Sequence, residues 1–137
     1  MKLIHAFIPG KPVPQGSVNV YGGRVVSVKP ELRKWRDSIR AALLAKHAGE
    51  PLDGPLAVSL VFQIQPPQKP RWSLPAVKPD VDKLIRGALD SMSTVKKKGV
   101  ITSKGVITDD ARVVSITATK TYHGTPGVFV TITEVQP

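Results

Sequence analysis

Lys78-Pro-Asp-Val-Asp-Lys-Leu-Ile-Arg-Gly-Ala-Leu-Asp90 reads as the start and first turns of a helix. Leu84, Ile85, Ala88, Leu89 and Met92 recur at three- and four-residue steps, one face of an α-helix, and the pattern runs from Val81 to about Thr94. Asp82, Arg86 and Asp90 stand at i, i+4 and i+8 on another face. Asp80, just after Pro79, is expected to be extended. Side chains at i and i+2 of an extended segment project to one side, about 6.6 Å apart along the chain. On that geometry Asp80 and Asp82 can clamp one cation between them.

Residues 66–79 carry five prolines in fourteen positions and read as a long stiff loop. Leu56 to Ile64 (LAVSLVFQI) before it is a largely buried strand, rich in β-branched and aromatic side chains. From Pro30 to Ala48 a second helix is predicted, with Leu32, Trp35, Ile39, Ala42 and Leu43 on one face, Pro30 at its start and Gly49 just past its end. Arg33, Arg36 and Arg40 form a basic stripe on that helix. Residues 2–8 suit a strand, 11–16 a loop, and 18–21 with 24–28 a hairpin around Gly22-Gly23. Downstream, Lys96-Lys97-Lys98 precedes a tandem duplication in which Lys-Gly-Val-Ile-Thr at 98–102 recurs at 104–108, read as a flexible hairpin or local insertion. Strands near 112–122 and 127–135, joined through His123 to Gly127, are expected to close the chain as a hairpin. This order predicts an α+β fold, a small mixed β-sheet with two main helices, as one domain over residues 1–137 with a Pro-rich loop at 66–79 and a basic insertion at 95–108.

Composition narrows the chemistry. The 137 residues carry 20 Lys and Arg against 10 Asp and Glu, a formal +10, and no cysteine. Disulfide scaffolds, Cys-ligated zinc, iron–sulfur clusters and thiol nucleophiles are excluded together. The positive excess favours a polyanionic partner, because Lys and Arg that neutralise phosphates release condensed counterions. Apolar runs are far shorter than the roughly 20 residues of a membrane span, and MKLIHAFIPGKP lacks a signal-peptide core, so a cytoplasmic protein without a membrane partner is expected.

The acids are placed unevenly. Asp80, Asp82, Asp90, Asp109 and Asp110, half of all ten, fall between residues 80 and 110, while 69–104 holds nine Lys and Arg against three Asp. Clustered carboxylates repel one another unless a cation joins them, and oxygen-only clusters suit Mg²⁺ or Mn²⁺. Taken singly, each has an ordinary structural explanation: Asp80 or Asp82 as a helix cap, Asp109-Asp110 as turn residues, Asp90 as the partner of Arg86.

The segment 78–90, followed by Ile107-Thr-Asp-Asp-Ala-Arg-Val113 and a strand, closely resembles the RusA-type Holliday junction resolvases of phages, prophages and bacteria. Their pattern is D-x-D-N-L-x-K, an Asp four residues on, and a later D-D-x-x-V. The resemblance implies a RusA-like fold and a homodimer that makes paired, symmetric nicks in four-way junction DNA with Mg²⁺, which Mn²⁺ can replace, and no nucleotide cofactor. It puts the metal-binding carboxylates on Asp80, Asp82 and Asp110, with Asp109 a weaker ligand. The family's catalytic lysine falls on Arg86 and its asparagine on Lys83. Arginine keeps the charge without the compact ammonium, so electrostatic stabilisation is the role expected of Arg86, and Lys83 can supply the point charge. Arg33, Arg36, Arg40, Lys69, Arg71, Lys96, Lys97 and Lys98 become candidate phosphate contacts. A different class, a DNA- or RNA-binding protein of this fold without catalysis, stays open beside the enzyme. Trp35 is expected in the core and Trp72 as an anchor of the Pro-rich loop, although Trp72 can also stack on an unpaired base. His5, His47 and His123 adjoin no carboxylate pair and are assigned to no metal.

Overall fold

The computed structural model describes residues 3–16, 20–21, 24–25 and 29–135. Strand β1 (Leu3–Pro9) is followed by the two-residue strands β2 (Val20–Tyr21) and β3 (Arg24–Val25), helix α1 (Pro30–Lys46), strand β4 (Leu56–Ile64), helix α2 (Val81–Met92), strands β5 (Val95–Lys97) and β6 (Val100–Ser103), and strands β7 (Val113–Tyr122) and β8 (Gly127–Glu134). Of the predicted hairpin at 18–21 and 24–28, the described part is the antiparallel pairing of Val20 with Val25 and Tyr21 with Arg24. Its turn and outer residues lie outside the described residues. Among the described residues no helix is long and apolar enough to cross a membrane.

One four-stranded mixed sheet, in the order β1-β8-β4-β7, organises the chain. Alternation sorts its side chains into rows: Ile4, Ile132 and Val58; Ala6, Val130 and Leu60; Ile8, Val128 and Phe62. All nine are buried, and Leu32, Trp35, Ile39 and Leu43 of α1 with Leu84, Ala88 and Met92 of α2 complete the core against them. The helices therefore cover one face of the sheet, as the three- and four-residue spacing of their apolar positions requires. The opposite face is more open, with Phe7 and Phe129 in ring contact at 4.6 Å.

The closing hairpin does not form. β7 pairs with β4 in parallel, β8 pairs with β4 and β1 antiparallel, and β4 separates the two strands expected to be partners. Residues 123–126 pass over the end of β4, where the His123 N–H donates to the Ile64 carbonyl at 3.0 Å. Four residues suffice for this step, since two inter-strand spacings amount to about 10 Å. The apolar alternation of β4 accounts for its place: a strand this apolar is best covered by neighbours on both edges. β4, α2 and β7 make the strand–helix–strand unit that a parallel pair needs.

The two copies of Lys-Gly-Val-Ile-Thr have opposite fates. In the first, Lys98 (φ 52°) and Gly99 (φ 76°) take the left-handed turn that closes the β5–β6 hairpin, and Val100 and Ile101 are 64% and 55% exposed. In the second, Val106 and Ile107 are buried. Ile107 exchanges backbone hydrogen bonds with Met92 and Thr94, and Leu52 with Val106 and Thr108. The predicted insertion thus projects only over the hairpin, and residues 105–107 belong to the core.

Candidate active site

Helix α2 carries the aspartates of the first block. Asp80 is extended (φ −69°, ψ 137°) and occupies the N-cap position, yet its side chain makes no capping hydrogen bond. The helix start is held by backbone, the Leu84 N–H donating to the Asp80 carbonyl at 3.2 Å. The Asp80 carboxylate instead lies 3.7 Å from the Lys83 ammonium, both about half exposed. Asp82 falls inside the first helical turn. The extended i, i+2 geometry expected for the pair is therefore replaced by one extended and one helical residue, because α2 begins at Val81.

Helix α2 meets three other segments, mostly at its tail. From the early Pro-containing loop, the Gln15 N–H donates to the Lys83 carbonyl at 3.0 Å, and the Gln15 side-chain amide donates to Asp90. From α1, the Arg40 guanidinium donates to the carbonyls of Asp90, Ser93 and Lys104 at 3.0, 2.9 and 3.2 Å. These include carbonyls that a helix C-terminus leaves without partners. Arg40, read in the sequence as a phosphate contact, spends its guanidinium on tying α1 to α2. From the segment before β7 comes the 3₁₀ turn Asp110–Arg112, with Asp109 as its cap: Asp109 Oδ1 accepts from the Ala111 N–H at 2.8 Å. Asp53 brackets this turn, its Oδ1 accepting from Thr108 Oγ1 at 2.8 Å and from Arg112 Nε at 2.7 Å.

Arg36, Asp90, Ser93, Thr94, Val95, Asp109 and Asp110 line one cleft of about 230 Å³. Electrostatics separates its two neighbouring aspartates. Asp109 is held below the usual carboxylate range, first by the Ala111 N–H and then by its hydrogen bond with Asp110. Asp110 is pushed above that range by partial burial, then by the hydrogen bond and charge of Asp109, and then by the charge of Asp90. Side by side, each carboxylate disfavours ionisation of the other, and partial burial makes Asp110 the one that is pushed up. A divalent cation relieves the same repulsion, so the donor chemistry fits Mg²⁺ or Mn²⁺.

The carboxylates form two groups. Asp80 and Asp82 stand at the head of α2; Asp90, Asp109 and Asp110 surround its tail, and the eight residues from Asp82 to Asp90 correspond to a rise of about 12 Å. Among the described residues no three His, Asp or Glu side chains gather closely enough to hold one ion as they stand. Arg86 lies one turn from each group on the same helical spacing. Arg33, Arg36, Asp37 and Arg40 line a second shallow cleft beside the first. Lys96, Lys97 and Lys98 are exposed on the β5–β6 hairpin, and Lys69 and Arg71 are exposed on the Pro-rich loop. Trp72 is 45% exposed, with the Arg71 guanidinium 4.4 Å from its ring centre, and does not anchor the loop in the core. Trp35 is buried. Each histidine has a local partner: His5 with Thr131, His47 with the Glu50 carbonyl, His123 with the Thr125 N–H.

Sequence reasoning passed over Gln15, Asp53 and Lys120, whose ammonium donates to the Val77 and Pro79 carbonyls. Nothing local marks them, since each acts on a segment at least 40 residues away.

A carboxyl whose folded pKa lies above its unfolded value of about 3.9 costs stability above the folded pKa, and the cost fades as pH falls towards the unfolded value. Asp110→Asn is therefore expected to raise the melting temperature in EDTA at neutral pH and to lose that advantage near pH 4. Thermal melts of both proteins across pH 4–8 check it; an Asn variant less stable at pH 7 contradicts it.

Residues 9–133 match the family described as Endodeoxyribonuclease RusA. Comparison with curated proteins finds no match.

Proposed function

The chain belongs to the RusA endodeoxyribonuclease family, and on that premise we propose that it is a divalent-metal-dependent nuclease that resolves four-way DNA junctions by paired nicks. The observation that carries the reading is that the family's aspartates are not used up by structure. Asp80 occupies a capping position without capping, and Asp110 stands in a cleft where burial and neighbouring carboxylates disfavour its charged form, while Asp109 caps the 3₁₀ turn.

Asp80 and Asp82 at the head of α2 and Asp110 at its tail are the residues assigned to Mg²⁺, with Asp109 orienting Asp110; the two groups would have to draw together on one ion or take an ion each. A cation bound there would lower the pKa of a water and offset negative charge on the scissile phosphate. Lys83 and Arg86, within one turn of Asp82, supply positive charge for the transition state. Arg36 faces the carboxylate cleft and can hold a phosphate beside it. The β5–β6 hairpin with Lys96, Lys97 and Lys98, together with Lys69, Arg71 and Arg33, grips backbone phosphates and so reads branch shape rather than base sequence. Trp72, exposed under Arg71, offers a face for an unpaired base at the branch. A C₂ homodimer would present two equivalent sites to a junction of matching symmetry, as paired nicks require.

The deciding experiment incubates the purified protein with a synthetic four-way junction in Mg²⁺, Ca²⁺ or EDTA. Symmetric nicks in Mg²⁺ alone are expected, with binding in Ca²⁺. Binding in all three conditions without nicking in Mg²⁺ or Mn²⁺ would make the chain a junction binder and end the enzyme reading.

A further inference from the structure

Lys120 lies where the sheet's alternation places apolar side chains. The row Ile8, Val128 and Phe62 continues across β4 to Lys120, just as the neighbouring rows continue to Ala118 and Ile116. Its side chain therefore leaves β7 on the face that carries the helices. There the half-buried ammonium donates to the Val77 carbonyl at 2.6 Å and the Pro79 carbonyl at 2.8 Å. The second carbonyl belongs to the peptide whose nitrogen is that of Asp80. Among the described residues no other hydrogen bond joins residues 65–79 to the sheet.

We propose that Lys120 is a positioning residue for the carboxylates at the head of α2. The Pro-rich segment has no regular structure to set where it delivers Asp80. Two charge-assisted hydrogen bonds from a rigid strand set it instead, and hydrogen bonds with an ionised donor are roughly twice as strong as neutral ones. A ligand carried at the end of a loop binds a cation well only if something holds it in place beforehand. A methionine at 120 would suit the apolar row as well as Ile116 and Ala118 do, so the packing of the sheet does not call for a lysine. The proposal rests on the reading of Asp80 and Asp82 as cation ligands, and its test distinguishes the two.

Mn²⁺ binding is measured by electron paramagnetic resonance for the wild type, Lys120→Met, Lys120→Arg and Asp80→Asn, alongside thermal melts in EDTA and junction affinity in Ca²⁺. Lys120→Met is expected to weaken Mn²⁺ binding about tenfold, as loss of an outer partner of a ligand does. It should also raise by a similar factor the Mn²⁺ concentration giving half-maximal nicking, while junction affinity stays near wild type. Lys120→Arg, which can still donate to both carbonyls, is expected to recover most of the loss. If Asp80→Asn loses Mn²⁺ and Lys120→Met binds it as the wild type does, the positioning role is wrong and the metal reading stands. Normal Mn²⁺ binding by Asp80→Asn removes both. An Arg variant as weak as the Met variant also overturns the proposal, because the tie to the carbonyls would then not be the cause. Should Lys120→Met fail to fold, Lys120→Gln, which keeps one donor, is judged by the same measurements.

Discussion

Asp80→Asn and Asp82→Asn are each expected to abolish junction cleavage while leaving junction binding unchanged or tighter. Asparagine preserves the shape of the side chain and removes its charge, and both aspartates are exposed. The fold gives them little to do. Asp80 makes no capping hydrogen bond, the helix start is held by the Asp80 carbonyl, and the Lys83 partner is 3.7 Å away at an exposed site. Exposed pairs of this kind contribute about 0–1 kcal/mol, so the variants should melt close to wild type. Catalysis is different. Losing an anionic ligand to a hard cation removes several kcal/mol of transition-state stabilisation, and about 4 kcal/mol corresponds to roughly a thousandfold in rate. Binding responds in the opposite sense, because one negative charge near the DNA phosphates has gone. Single-turnover nicking and gel-shift titration in Ca²⁺ measure both. Wild-type cutting by either variant would show that the metal is held elsewhere.

The second large effect concerns stability and uses the duplicated pentapeptide as its own control. A Cβ at Gly105 would stand 2.3 Å from the Met92 carbonyl oxygen, 2.5 Å from the Ser93 carbonyl carbon and 2.6 Å from its oxygen. These are backbone atoms at the end of α2 and cannot swing aside as a side-chain tip would. Gly105→Ala is expected to cost about 3 kcal/mol, the upper range for overpacking. That lowers the melting temperature by roughly 10 °C in a domain of this size. Gly99, the same residue in the first copy, has open space around its Cβ position and a φ of 76°. Gly99→Ala meets only the strain of a left-handed residue, about 1–2 kcal/mol. Thermal melts of both variants check the order, and a larger loss at Gly99 would contradict the burial of the second copy. Cleavage should fall with Gly105→Ala as well, since the Gly105 N–H donates to Thr94 Oγ1 at 3.1 Å beside the carboxylate cleft.

The legible parts of this molecule are those set by near neighbours along the chain. α1 and α2 announce themselves through apolar steps of three and four residues, with Pro30 as the first residue of α1 and Pro79 just before the cap of α2. β4 is readable from its run of apolar, β-branched and aromatic side chains, and the fold then buries Leu56, Val58, Leu60 and Phe62 on one face. The five clustered aspartates and the family resemblance were likewise visible before any fold. The mixed sheet with two helices followed from element order, but which strand lies beside which did not. The link from β7 to β8 resembles a hairpin turn, and only competition for the edges of β4 separates the two strands.

The site divides along the same line. Spacing selected Asp80, Asp82, Asp109 and Asp110 as a set, but could not say which of them caps a turn, which has its charged form disfavoured or how far apart the groups lie. Those answers depend on the Ala111 N–H, on Asp90 at the other end of α2, and on contacts made by Gln15, Asp53 and Lys120 from distant elements. Nor could spacing reveal that Arg40, one of three arginines at regular helical steps, is spent on backbone carbonyls. Lys-Gly-Val-Ile-Thr makes the boundary plain: one copy is an exposed hairpin and the other is core. Local sequence determined the helices, the long strands and the acidic blocks. Burial was decided by what each segment meets in space, because hydrophobic and hydrogen-bonding partners are contributed by residues far away in the chain.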